Sequence, residues 1–408
     1  MATPDPASAV ELDPFAFSPT GIPDDEQRPG TPNASAFHDE KASHDDPVIR
    51  DRSAAPDPSA RHSGPVISAD GVVFHLPDPD RELDGVRLEV DWILGTDPEF
   101  QRTGGGWVLR LARPDAWRLE YQLTIRRGND TIWTADPGNP RRVPNPFGDK
   151  SEIRFPDYRE PAWLLTSVHG VTRRIATPAG RLAESVPGQL WCPAGLPADS
   201  AAPLLVVNDG SDMADRGSLL AWASAMSVTR PIRVALLDPV LGRRNEWYAA
   251  DPDYADHVAD VVLPAVTSRV LTGPVIGLGA SLGALSMLTV QRRHPGSIAA
   301  LALQSGSFFT AQLDAQESGF SAFDQICAAV RMIAAGPDLT APGAPRPVPV
   351  LMTCGAIEEN HANNVAMAAA LARQRHPVTL RIVPDTHTML GWRDAWFPEL
   401  DDLITALR

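Results

Sequence analysis

The stretch Val275-Ile-Gly-Leu-Gly-Ala-Ser-Leu-Gly-Ala284 constrains this chain more than any other. An apolar strand runs into Gly279-Ala280-Ser281-Leu282-Gly283, and a helical stretch from Ala284 to His294 follows at once. That order is a G-x-S-x-G elbow, a turn so tight that the positions flanking the serine must be nearly free of side chain. The strained corner lifts the Ser281 hydroxyl over the sheet edge. It also aims the Leu282 backbone N–H, at the start of the new helix, toward a developing oxyanion. Small-residue turns are common, so the motif gains its weight from the readable strand before it and helix after it.

The surrounding pattern fits an α/β chain. From about 165 to 408, apolar strands alternate with helical stretches, as in a parallel sheet with crossover helices. Two lead-in strands, Gly170–Ile175 and Gln189–Pro193, precede Pro203–Val207, Arg233–Leu237, Val275–Leu278, Ile298–Leu303, Val348–Met352 and Val378–Val383. Helical stretches such as Tyr254–Val270 and Asn363–Arg375 separate the later strands. From about 66 to 160 the period changes to that of half-buried strands, with Val72–Leu76, Val86–Trp92, Trp107–Leu111, Leu119–Ile125 and Thr131–Trp133 forming a small β-sandwich. A Pro- and Asn-rich connector runs from Asp136 to Pro161. Residues 1–65 are rich in Pro, Asp, Ser and Ala, show neither period, and are expected to form a disordered acidic tail. His38, His44 and their acidic neighbours read as solvated polar residues of that tail rather than metal ligands.

A hydroxyl is a poor nucleophile at neutral pH and needs a base within hydrogen-bond reach, itself oriented by an acid. In an α/β-hydrolase the chain order is Ser, then Asp or Glu after the next-to-last strand, then His after the last. Thr353-Cys354-Gly355 leads to Ala356-Ile357-Glu358-Glu359-Asn360, and Pro384-Asp385 leads to Thr386-His387. Ser281 is therefore the expected nucleophile, His387 the general base and then acid, and Glu358 the orienting carboxylate. Glu359 competes with Glu358, while Asp385 lies too near His387 along the chain to turn back onto it. The second oxyanion donor belongs in the loop after the third strand, here Asn208-Asp209-Gly210-Ser211, which makes Gly210 or Ser211 the candidate. Chemistry through such a triad requires no metal and no organic cofactor.

A formal net charge of −15 argues against nucleic acid or an anionic membrane surface as partner. Three widely spaced cysteines, Cys192, Cys327 and Cys354, read as thiols in a reducing compartment rather than a disulfide framework. No apolar run follows a basic start and none approaches membrane-spanning length, so the expected location is the cytoplasm.

Taken in order, these residues resemble the enterochelin (enterobactin) esterases of the putative-esterase branch of α/β-hydrolases. The matching pieces are Leu278-Gly-Ala-Ser-Leu-Gly-Ala284, Arg293-His294-Pro295, Leu303-Gln-Ser-Gly-Ser-Phe308, Gly355-Ala-Ile-Glu358 with Asn363-Asn364, Arg244-Asn-Glu246-Trp-Tyr248, and His387 followed at four residues' remove by Trp392-Arg393. Tyr121-Gln-Leu123, Asp136-Pro137, Asn139-Pro140, Phe147-Gly148 and Ser151 are similar to the early-set immunoglobulin-like domain that precedes the hydrolase domain in these enzymes. Ala284 and Asn208 depart from the usual pattern, and the tail has no counterpart. The resemblance implies an α/β-hydrolase domain over 165–408, an immunoglobulin-like sandwich over 66–160, and hydrolysis of the serine esters of a ferric catecholate siderophore inside the cell. Such a substrate is anionic and aromatic. Arg243, Arg244 and Arg393 are the expected cationic contacts, with Trp247 and Trp392 available for stacking. Two other readings compete. One is a feruloyl or acetyl-xylan esterase of the same branch, which the missing leader disfavours. The other is an inert hydrolase-fold binding protein, which has no need of a complete Ser-Glu-His order.

Overall fold

Near-continuous apolar runs such as Leu204-Leu-Val-Val207 cannot present a solvated face, so they form strands covered on both sides. The computed structural model, which describes residues 64–90, 97–145, 148–337 and 346–407, shows such strands in the middle of one eight-stranded sheet, with more polar, exposed strands at its edges. The eight are β1 (Gly170–Ile175), β2 (Gly188–Pro193), β3 (Ala202–Asn208), β4 (Arg233–Leu237), β5 (Thr272–Ala280), β6 (Ala300–Gln304), β7 (Val350–Gly355) and β8 (Val378–Val383). Their order across the sheet is β1-β2-β4-β3-β5-β6-β7-β8. β2 runs antiparallel to both β1 and β4, and every other pairing is parallel.

Alternation along β3 assigns the two faces. Leu204 and Val206 join a core with helices Leu282–Arg293, Phe323–Ala335 and His361–Arg373. Leu205 and Val207 join a second core, rich in tryptophan, with helices Leu219–Ser227, Met389–Asp394 and Glu399–Ala406. The parallel strands all point their C-terminal ends at one edge, and chain reversals leave the strands there; ligand sites of open α/β sheets lie at such edges. The helix expected over Tyr254–Val270 is present in pieces, Pro252–His257 and Leu263–Thr267, joined by a π-helical turn at Val258–Val262. Pro252 starts it, with the Asp251 carboxylate accepting from Tyr254 N–H.

The region before residue 160 forms two sheets around one core. One contains Val66–Ile67, Gly71–Pro77, Gly106–Ala112 and Gln101–Thr103. The other contains Gly85–Val90, Arg118–Arg127, Lys150–Arg154 and Arg142–Val143, with Asp130–Thr134 paired to Arg118–Arg127. Val72, Phe74 and Leu76 from the first face Leu88, Leu119, Tyr121 and Ile153 from the second within a shared apolar cluster. The connector expected over Asp136–Pro161 thus contains two strands. Most of the expected tail, and Trp92 and Phe147, lie outside the described residues.

Candidate active site

The site is assembled at the C-terminal ends of β3 and β5–β8. At the end of β5 the chain turns through Ser281, whose backbone sits at φ 55° and ψ −127°, a region that L-residues occupy only under constraint. Two contacts impose it. A Cβ on Gly279 would lie 2.2 Å from the Gly283 carbonyl oxygen, so strand and helix approach within a distance that only glycine allows. Ser281 N–H donates to the Gln304 carbonyl on β6 at 2.9 Å, tying the elbow to the neighbouring strand. The Ser281 hydroxyl is mostly buried and lies 3.2 Å from the Ser307 hydroxyl. Leu282 is the first residue of the helix, where backbone N–H groups lack intrahelical partners.

After β7, the loop Ala356–Asn360 folds Glu358 inward, and after β8 the loop carries His387 to meet it. His387 Nδ1 is 2.5 Å from Glu358 Oε2. Facing a carboxylate, Nδ1 is the protonated nitrogen, which leaves the lone pair on Nε2. Nε2 is buried and makes no hydrogen bond within the described residues. The other Glu358 oxygen accepts from Ser305 Oγ at 2.7 Å, from Cys354 Sγ at 3.1 Å and from the Gly355 N–H. Burial pushes the Glu358 carboxyl up, but His387 and then the Ser305 and Gly355 donors outweigh it and hold the group below its ordinary value. Burial, and then the same carboxylate, push the Cys354 thiol up, so that sulfur stays protonated. Trp392 completes the back wall. Its indole N–H donates to Ser305 Oγ at 2.9 Å, and its ring meets His387 edge-on at 5.0 Å.

The loop after β3 is built differently from the expectation. Asp209, not Gly210, takes the left-handed turn at φ 54°, and its carboxylate is gripped by both Arg244 Nε and an Arg244 terminal nitrogen at 2.8 Å. Asp209 N–H donates to Tyr248 OH at 3.2 Å. Gly210 is a glycine because a Cβ there would sit 2.5 Å from Leu236 Cβ on β4. Ser211 is directed elsewhere: its N–H and hydroxyl both donate to the Asp238 carboxylate, at 2.8 and 2.6 Å, which removes it as an oxyanion donor. Gly210 remains at the start of the short helix that follows the turn.

The five substrate candidates are corrected in part. Trp247 is wholly buried and stacked on Tyr254 at 5.7 Å, a core aromatic with no face to offer a ligand. Arg244 is held by Asp209 and lies over the Tyr248 ring. Arg393 is buried against Asp394 and Tyr158, and Trp392 packs behind His387. Arg243 is the most open of the three arginines, paired with Glu246 at 2.6 Å and Glu184 at 3.5 Å. Ser305 and Ser307 were not assigned roles from sequence. Their signal is position, directly after a buried strand neighbouring the elbow strand.

No family model matches the sequence, and no curated protein matches it. The fold, in contrast, is that of solved esterases. The ferric enterobactin esterase of Salmonella typhimurium superposes with a TM-score of 0.66 at 18% identity, over 84% of this chain and 97% of that one. The enterobactin esterase of Shigella flexneri, solved in the presence of enterobactin, gives 0.67 at 19% identity over 84% and 96%. At such identity the likeness establishes a shared fold that spans both the two-sheet region and the large sheet.

Proposed function

We propose that this chain is a serine ester hydrolase acting on a ferric catecholate siderophore of the enterobactin type, within the enterochelin-esterase family. One observation carries the reading: a strained serine at a strand-to-helix elbow shares its sheet edge with the mostly buried Glu358–His387 pair, in a fold shared with solved enterobactin esterases. In this reading Ser281 Oγ attacks the ester carbonyl carbon while His387 Nε2 takes its proton. The Leu282 N–H, with Gly210 as the second donor, stabilises the oxyanion. The carbonyl re-forms as the ester C–O bond breaks, and His387 returns the proton to the departing alkoxide. Water then adds to the acyl-serine with His387 again as base, and the intermediate collapses as the acyl–Ser281 Oγ bond breaks, His387 returning the proton to Ser281 Oγ and the acid leaving. Glu358 holds the imidazole in the Nε2-basic tautomer and stabilises the imidazolium.

The same reading makes 165–408 the catalytic domain, makes 66–160 an immunoglobulin-like accessory domain, and places the release of iron in the cytoplasm. The test is incubation of the full chain with ferric enterobactin, a feruloylated sugar and a nitrophenyl ester, with products identified by mass spectrometry and Ser281→Ala as control. Serine-catecholate fragments from enterobactin, absent with Ser281→Ala, are the expected result. Release of ferulate alone would overturn the substrate assignment, and no difference between the two proteins would overturn the mechanism.

A further inference from the structure

The loop that carries His387 is gripped from the other side of the molecule. Trp117 and Arg118 begin the long strand of the five-stranded sheet, some 270 residues earlier in sequence. Trp117 N–H donates to the Pro384 carbonyl at 2.7 Å. Arg118 is fully buried, with Nε 3.0 Å from Asp385 Oδ2 and a terminal nitrogen 2.5 Å from Thr388 Oγ1. Its other terminal nitrogen donates to Glu120 at 2.8 Å and lies 3.5 Å from Glu152. Asp385 and Thr388 stand on either side of His387, and Thr388 also caps the following helix by accepting from Gly391 N–H. Tyr158 OH adds a hydrogen bond to Asp394 at 2.7 Å at the far end of that helix. A guanidinium, with five donors spread over three nitrogens, can meet three partners at once as a compact ammonium cannot.

We propose that Arg118 is a positioning residue for the reaction: with Trp117 and Tyr158 assisting, its side chain is the main grip by which the two-sheet region fixes the loop that carries His387. The inference rests on the hydrolase reading above. The groups facing Arg118 are Glu120, Glu152, Asp385 and Asp394, with Arg154 and Arg393 bound to the outer sides of Glu152 and Asp394. Burial pushes Asp385 up to about 7, and Arg118 is the main influence opposing it. Without the guanidinium nothing of comparable strength would oppose the burial that pushes Asp385 up, and the loop would lose both that ion pair and the Thr388 contact.

The experiment compares wild-type full chain with Arg118→Lys and Asp385→Asn, each keeping the approximate shape, and with Arg118→Met. Displacement of a reacting group by about an ångström costs on the order of 100-fold in rate. Arg118→Met is expected to lower kcat on a nitrophenyl ester about 100-fold. Arg118→Lys, which cannot serve Asp385, Thr388 and Glu120 together, is expected to lower kcat about tenfold. KM should change little in either. The downfield proton resonance expected in wild type for the His387–Glu358 hydrogen bond should broaden or vanish in Arg118→Lys even if Arg118→Met fails to fold. An Arg118→Lys protein with wild-type kcat, or one with an unaltered resonance and only a lower melting temperature, would make Arg118 merely structural and overturn the proposal. If wild type hydrolyses no ester, the hydrolase reading falls, and the resonance alone still decides whether Arg118 positions His387.

Discussion

The two glycines of the elbow are alike in the motif and unlike in the structure, and Gly279→Ala against Gly283→Ala separates the consequences. A methyl on Gly279 meets backbone: the Gly283 oxygen at 2.2 Å, its carbonyl carbon at 2.3 Å and Ala284 N at 2.8 Å. None of these can rotate away. Relief takes a shift of the helix start by roughly 1 Å, which carries Ser281 and the Leu282 N–H with it. Such a shift costs on the order of 100-fold in turnover, alongside about 1–3 kcal/mol of stability for the overpacked contact. A methyl on Gly283 meets a side-chain carbon, Asn208 Cβ, at 3.2 Å, and the Asp209 carboxylate at 3.5 Å. A few tenths of an ångström suffice there, with a loss of under about tenfold. The assay is nitrophenyl-ester turnover for the three proteins, together with thermal unfolding to separate rate from stability. Wild-type turnover in Gly279→Ala, or a larger loss in Gly283→Ala, would refute the claim that the strand–helix approach sets the nucleophile.

The glutamates give a second contrast: Glu358→Gln should cost about 10³–10⁴-fold in kcat by freeing the His387 tautomer, and Glu359→Gln little, as stopped-flow turnover would register. Trp247→Phe should leave KM for aromatic esters unchanged while lowering stability by about 1–2 kcal/mol in urea unfolding, because the ring is core and not a stacking platform. Asp256, hydrogen-bonded by Arg293 and His294, is held down to about 2 from an ordinary 3.8, chiefly by Arg293. A depressed carboxylate stabilises the fold above its ordinary value and loses that contribution as pH falls. Asp256→Asn should therefore be less stable than wild type at pH 7 by on the order of 1 kcal/mol after solvent screening, and the gap should close between about pH 4 and pH 2. Denaturant midpoints across that range check it.

What was legible in the sequence follows a physical divide. β3 to β7 could be read because strands buried on both faces must be largely apolar, whatever their neighbours, and β8 from its alternation at an edge. That Ser281, Glu358 and His387 stand at the ends of neighbouring strands could be read from chain order alone, before any packing is known. Arg142–Val143 and Lys150–Arg154 were missed because Ser151 and Glu152 look solvated until Tyr121, Asp136, Arg118 and Arg154 are brought to them. The same blindness misled the substrate residues. Whether Arg244 or Arg393 faces a ligand or a carboxylate depends on Asp209 and Asp394, and nothing local says which. The choice between Glu358 and Glu359 rests on the direction of one loop.

The site takes Asp209, Ser281, Ser305, Glu358 and His387 from the ends of β3, β5, β6, β7 and β8. During synthesis the elbow strand therefore emerges long before the base: at about 5–20 residues per second, the stretch from Ser281 to His387 takes roughly 5–20 s to be made. From the emergence of β7 until β8 follows, β7 lacks its outer neighbour, and Arg118 stands among Glu120 and Glu152 without Asp385. The nascent chain thus carries an open parallel edge on an apolar strand, the kind of species that chaperones retain. Docking of β8 covers β7 and replaces its apolar edge with a less buried, partly polar one, brings Asp385 to Arg118 and delivers His387 in a single event. Onset of the proposed ester cleavage would then time that docking during co-translational folding, not merely report that folding has occurred.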